Sequence, residues 1–178
     1  MSSRFERVRA ETKYEGRIFT VLEETFRHED GEEATREIVR HQGAVGVVAH
    51  DGESIWLVRQ PREAVGVPDL LELPAGKLDV EGEEPLETAK RELGEEIGKA
   101  ASQWEHLHTF FTSPGFTDEV CHVYLATGLS NAAAEVDEHE RIDVEVRPLA
   151  ELDAIIDEVR DSKTLIGLLE LRRRASGD

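Results

Sequence analysis

Between Pro85 and Gly98 the apolar residues Leu86, Ala89, Leu93 and Ile97 recur at steps of three and four. That spacing puts them on one stripe of an α-helix, the side that must be buried against another element. Pro85 suits the first turn, where its missing N–H has no intrahelical partner, and Gly98 suits the left-handed position just past the end. Around the stripe the sequence is acidic. Glu92 and Glu96 lie one turn apart and flank it, at the rim where helix meets sheet, while Glu95 points further toward solvent. Like charges one turn apart destabilise a bare helix. A hard divalent cation reverses that sign, because Mg²⁺ prefers carboxylate oxygens and keeps positions open for water and phosphate. A solvated acidic face is the alternative that the spacing alone leaves open.

The rest of the chain supplies strands for that helix to cover. Residues Arg17–Phe26 and Ala34–Arg40 read as two strands joined across the Asp30-Gly31 turn signal. Gly43–Ala49 is a short, continuous apolar run and hence a buried strand. Ser54–Gln60, Leu70–Leu73, Trp104–Thr112, Glu119–Thr127 and Arg141–Val146 are further strand candidates. Pro148–Arg160 and Ser162–Arg174 read as closing helices, with Ser162 the expected N-cap. Strands dominate, one helix stands in mid-chain and two end the chain. That pattern predicts an α+β layered domain with a mixed sheet between helices. A chain of 178 residues buries one substantial core. We divide it into an N-terminal strand extension, residues 1–42, and the main domain, residues 43–178. An isolated two-stranded hairpin is marginal in water, so the extension must pack on something.

Charge and cysteine content narrow the function classes. A formal net charge of −18 argues against nucleic acid or an anionic membrane as partner, since both attract basic surfaces. An anionic ligand must then be met by metal and local arginines. Arginine strongly outnumbers lysine, which fits a salt-adapted interior as well as an ordinary acidic protein. The one cysteine, Cys121, sits in a strand-like run and reads as a small buried hydrophobe. The opening Met1-Ser2-Ser3-Arg4-Phe5 has no apolar signal core, and no stretch approaches membrane-spanning length. A cytoplasmic protein is the expectation.

The run Gly76-Lys77-Leu78-Asp79-Val80-Glu81-Gly82-Glu83, followed by Arg91-Glu92-Leu93-Gly94-Glu95-Glu96-Ile97-Gly98, resembles the Nudix box, G-x5-E-x7-R-E-U-x-E-E-x-G-U with U aliphatic. It departs twice: Gly76 and Glu83 are one residue further apart than the pattern has them, and Lys99 stands where an aliphatic residue is usual. The first falls in a loop, where an extra residue costs little. The second follows the helix C-terminus, where a cation is tolerated. Beyond the box, Glu37–Val45, Val58–Arg62, Leu71–Gly76 and the turn around Pro114 resemble the ADP-ribose pyrophosphatase branch of that family. The likeness extends over roughly residues 17–167.

This resemblance implies a Nudix-type α/β/α sandwich with an N-terminal β-hairpin or sheet extension. It also implies Mg²⁺-dependent hydrolysis of the diphosphate of ADP-ribose, or a related nucleoside diphosphate sugar, to AMP and ribose 5-phosphate, with Mn²⁺ as a substitute ion. The implied metal ligands are Glu92, Glu96, Glu95 and the backbone carbonyl of Ala75, with Glu83 and Arg91 bracing loop against helix. A late loop, Asp137–Ile142, supplies the residue that orients or deprotonates water, Glu140 as the better match and Glu138 as the second. Arg59 and Arg62 are the natural phosphate and ribose contacts, because guanidinium forks match phosphate oxygens. Arg36 and Phe19 reach the nucleotide, Phe19 by stacking on adenine, and Glu119 touches substrate. The extension is expected to form a homodimer in which each chain helps build the other's site. Rival readings are another substrate for the same box (GDP-mannose, NADH or an oxidised nucleotide) and a non-catalytic nucleotide-sugar sensor. The sensor reading expects lost ligand glutamates, whereas all three are present. His106, His108 and His122 lack metal-ligand spacing with cysteine, and His139 reads as solvated.

Overall fold

A computed structural model describes residues 4–132 and 141–177. The chain divides into two compact units, residues 1–43 with 111–120, and residues 44–110 with 121–178.

In the smaller unit, β1 (Phe5–Glu15), β2 (Phe19–His28) and β3 (Glu33–His41) form an antiparallel sheet in that order. The turn at Asp30-Gly31 closes as the sequence predicts, with Gly31 at φ 84°. The expected two-stranded hairpin is in fact three-stranded. β1 escapes a periodicity search because every one of its residues is exposed. Ladder bonds hold it instead, with cross-strand ion pairs such as Arg27 with Glu6 at 3.0 Å. The segment Phe111–Val120 belongs to this unit. Val39 donates to the Phe116 carbonyl at 2.8 Å, and Asp118 accepts from the His41 N–H at 2.9 Å and from Arg40 at 3.0 Å.

The larger unit holds a mixed seven-stranded sheet. Its strands are β4 (Ala44–His50), β5 (Ser54–Arg62), β6 (Val67–Glu72), β7 (Ala75–Lys77), β8 (Lys99–Phe111), β9 (Val120–Asn131) and β10 (Asp143–Pro148). The main path runs β10-β5-β4-β9-β8, with β6 on β5 and β7 on β4. β4 lies parallel to β9 and antiparallel to β5.

Helices cover both faces, and the alternation along β4 shows how. Val45, Val47 and Ala49 join Ala89, Leu93 and Ile97 of α1 (Pro85–Ile97) in one cluster. Val48 joins the other, with Ile155 of α2 (Leu152–Glu158) and Leu168 of α3 (Ser162–Ala175). Gly167 makes the second packing close. A Cβ there would sit 2.8 Å from Val48 and 2.9 Å from Leu73. The fold is therefore α+β, with the mixed sheet between helical layers. The N-cap of α3 is Asp161, not Ser162: its carboxylate accepts from the Thr164 N–H at 2.9 Å. The closing-helix segment begins with a short 3₁₀ turn, Leu149–Glu151, and α2 stops at Glu158. Among the described residues no helix is long and apolar enough to cross a membrane.

Candidate active site

The apolar stripe of α1 fixes which carboxylates face the sheet. With Leu93 fully buried and Ile97 nearly so, Glu96 is drawn under the rim to 4% exposure. Its Oε2 accepts the Ala75 N–H at 2.8 Å, joining the box helix to β7. Glu92 approaches the same strand from one turn earlier. A Cβ on Gly76 would lie 2.0 Å from Glu92 Cδ, so the Gly76 position is a cradle that only glycine leaves open. Glu95 is more exposed, as its angle on the helix predicts.

Arg91 gathers the remaining acids. Its Nη1 donates to Glu92 at 2.8 Å and to Glu95 at 2.9 Å, and its Nη2 donates to Glu83 at 3.1 Å. Glu83 also accepts from Thr88 Oγ1 at 2.8 Å. The Glu83 bond, opposed by partial burial and aided by Glu92 and Glu95, holds Arg91 above its ordinary pKa. Arg91 and then Thr88 hold Glu83 below the usual carboxylate range. The extra residue of the box loop is taken up in a turn, with the Glu83 N–H donating to the Val80 carbonyl at 3.1 Å and Gly82 at φ 79°.

Both arginines of β5 are engaged with acids. Arg62 grips Glu72 as a fork, at 2.5 and 3.0 Å. Arg59 donates to Glu145, Glu158 and the Asp69 carbonyl. Glu145 and Glu158 raise the Arg59 pKa against partial burial. In the smaller unit Phe19 is 40% exposed and packs on Tyr14, with ring centroids 5.9 Å apart. Arg36 is exposed and donates to the Thr35 carbonyl at 2.9 Å, and Glu119 accepts from Thr112 Oγ1 at 2.6 Å. Arg36 lines a cavity of about 430 Å³ with Phe5, Phe26, Phe111 and Phe116. Glu138 and Glu140 lie outside the described residues.

Among the described residues, no group of three or more acids, histidines or cysteines is placed to hold an ion, and Arg91 pairs with both Glu92 and Glu95. The donor chemistry nonetheless fits a hard cation. Glu92, Glu95, Glu96 and the Ala75 carbonyl offer oxygen, and the Glu92 carboxyl lies close against the Gly76 backbone.

Sequence reasoning passed over Glu72. It is 1% exposed, between the buried Leu71 and Leu73. A charge inside an apolar strand was the signal, since such a group must have ionic partners.

The mixed sheet lies between helices, with the acidic edge of α1 against the glycine-bearing β7. The chain belongs to the NUDIX domain family, whose profile matches residues 40–167. An ADP-ribose pyrophosphatase of Mycobacterium tuberculosis (strain ATCC 25618 / H37Rv) is 41% identical over 178 residues, covering 97% of this chain and 86% of that one. A methanol dehydrogenase activator of Bacillus methanolicus is 42% identical over 170 residues, covering 93% of this chain and 91% of its own. The solved structure of an ADP compounds hydrolase superposes with a TM-score of 0.85 at 22% identity, covering 98% of this chain and 96% of that one, a likeness of fold.

Proposed function

We propose that the protein hydrolyses the diphosphate of ADP-ribose to AMP and ribose 5-phosphate, with Mg²⁺ held by Glu92, Glu95, Glu96 and the Ala75 carbonyl, and Mn²⁺ as a substitute. The observation that carries this reading is the seating of Glu96 under the rim with its Oε2 on the Ala75 N–H, beside the Gly76 cradle. The relative from M. tuberculosis, alike over nearly the whole chain, supports the choice of substrate. A divalent ion held by Glu92, Glu95, Glu96 and the Ala75 carbonyl would supply charge neutralisation at the diphosphate and would lower the pKa of water. Arg62 and Arg59 orient the diphosphate, each exchanging part of its acid contacts for phosphate oxygens. Glu140, or else Glu138, takes the proton of the attacking water as its oxygen bonds to phosphorus and the bridging P–O bond breaks. Glu83 and Arg91 keep the box loop on the helix. A cytoplasmic setting belongs to the same reading.

The test is product analysis with ADP-ribose and Mg²⁺ beside GDP-mannose and NADH. AMP and ribose 5-phosphate from ADP-ribose, at the highest kcat/KM of the three, are expected. Faster turnover of either rival would replace the substrate.

The same reading includes a homodimer, with Phe19 and Arg36 of one chain reaching the nucleotide bound mainly by the other, and Glu119 touching substrate. Support comes from the exposed Phe5, Tyr14, Ile18, Phe19, Phe111 and Phe116, all in the smaller unit. Light scattering should report about twice the chain mass of 20.0 kDa. A monomer would end the dimer proposal.

A further inference from the structure

Glu72, at the end of β6, is a fully enclosed carboxylate in the larger unit with cations on two sides. From β5, Arg62 sends Nε to Oε1 at 2.5 Å and Nη2 to Oε2 at 3.0 Å. From the first turn of α3, Lys163 sends Nζ to Oε2. The lysine stem reaches there over β4 at Gly46, where a Cβ would lie 3.8 Å from Lys163 Cδ. Lys163 Nζ also lies 3.0 Å from Oδ2 of Asp161, the N-cap of α3. Two acids and two bases thus balance.

The balance matters for what Arg62 can do. The fork on Glu72 commits Nε and Nη2 and leaves the Nη1 edge outside the pair, with the side chain 39% exposed. The Glu72 bond raises the Arg62 pKa against burial, and the fields of Asp161 and the box residue Glu96 add to it. The guanidinium therefore stands within electrostatic reach of the candidate metal ligands. Without the ammonium group, the buried Glu72 and the half-buried Asp161 would face one guanidinium. Arg62 would be drawn inward, its charge spent on the enclosed Glu72 carboxylate rather than on a ligand.

We propose that Lys163 is a positioning residue for Arg62, acting through Glu72, so that the first turn of the last helix sets the phosphate affinity of a site built mainly from β5, β7 and α1. The proposal rests on the reading of Arg62 as a diphosphate contact. It gives a functional reason for burying the Glu72 carboxylate where an apolar side chain of similar volume would stabilise the fold as well or better.

The test is Lys163→Met in the full chain, which keeps the stem over Gly46 and removes the charge. KM for ADP-ribose should rise about tenfold, the loss of roughly one charge-assisted hydrogen bond, with kcat within about twofold. The affinity for inorganic pyrophosphate with Mg²⁺, by calorimetry, should fall by a similar factor. In an Arg62→Ala background the lysine change should add little to either, and Lys163→Arg should restore most of the loss. Unchanged KM and pyrophosphate affinity, or an undiminished effect without Arg62, overturns the proposal. If Lys163→Met does not fold, Lys163→Gln takes its place, with the same expected loss and the same Arg62→Ala control. Failure of the wild-type chain to cleave ADP-ribose sinks the substrate reading alone, since the pyrophosphate cycle still decides the role of Lys163.

Discussion

The two units solve the same problem in opposite ways. Every buried hydrophobic residue among those described lies in the larger unit, in two clusters on either face of one sheet. The smaller unit buries a glutamate instead. Glu24 is 0% exposed, gripped by Arg40 at 2.7 Å and Arg7 at 2.9 Å, while aromatic side chains stay on the surface around it. A core made from apolar side chains is largely self-sufficient. A sheet that buries a charge and exposes its aromatics leaves apolar area open to solvent. The contrast separates a unit with its own apolar core from one without.

The sharpest way to probe the larger unit is Glu96→Gln. The amide keeps an oxygen for the Ala75 N–H, so the melting temperature should hold while kcat falls by roughly 10²–10³-fold, the scale of several kcal/mol of charge stabilisation. Near-normal turnover in a folded variant at saturating Mg²⁺ would remove Glu96 from the site. Gly76→Ala comes next. Its methyl must displace Glu92, and a misplacement of about 1 Å is worth on the order of 10²-fold in rate. Ordinary kinetics there would mean the cradle is irrelevant to chemistry.

The comparison itself breaks or holds on a pair of stability measurements. Leu93→Ala should cost about 2–5 kcal/mol in urea unfolding, as a cavity in a closed core does. Phe19→Ala should cost no more than about 0.5 kcal/mol in the dilute single chain. A cost for Phe19 that grows with protein concentration would show its face being covered by another copy. The smallest effect on activity is expected from Arg40→Ala, whose cost of about 1–3 kcal/mol falls on stability, since Glu24 would keep only one cation. Burial by itself pushes Glu24 up, yet Arg40 and Arg7 overcome it and leave the group below its ordinary 4.5. A depressed carboxylate contributes stability above its unfolded pKa and loses it as pH falls toward the folded one. The contribution of Glu24 to wild-type stability should therefore be lost only below about pH 4.5, and in Arg40→Ala that loss on acidification should be smaller. Identical pH profiles would mean the arginines do not govern Glu24.

The sequence disclosed what local chemistry controls. Pro85 and Gly98 bracket α1 because a missing N–H and a positive φ are properties of single residues, and Gly98 indeed sits at φ 66°. The buried strand β4 was legible because a strand covered on both faces reads as a continuous apolar run. β1 was not, since exposed residues leave no stripe and its order comes from a ladder. The N-cap reads one residue late in the sequence because Asp161 and Ser162 are both good caps, and only the bond to Thr164 distinguishes them. Glu72 and Lys163 are 91 positions apart, so no local pattern joins them. Glu83 and Arg91 stand at a spacing that the box records, and their contact was accordingly easy to anticipate.

The turn at Val80–Glu83 has a practical use. It already absorbs one residue more than the family pattern, and a Cβ on Gly82 would meet nothing within 4 Å. The one native thiol, Cys121, is 1% exposed. A thiol introduced at the exposed Glu81 would therefore be the accessible one for a fluorophore, two residues before the acid that Arg91 holds. One label per chain in a mass spectrum would verify the selectivity. The dye's emission would then follow the box loop in real time, without an engineered probe touching helix or sheet.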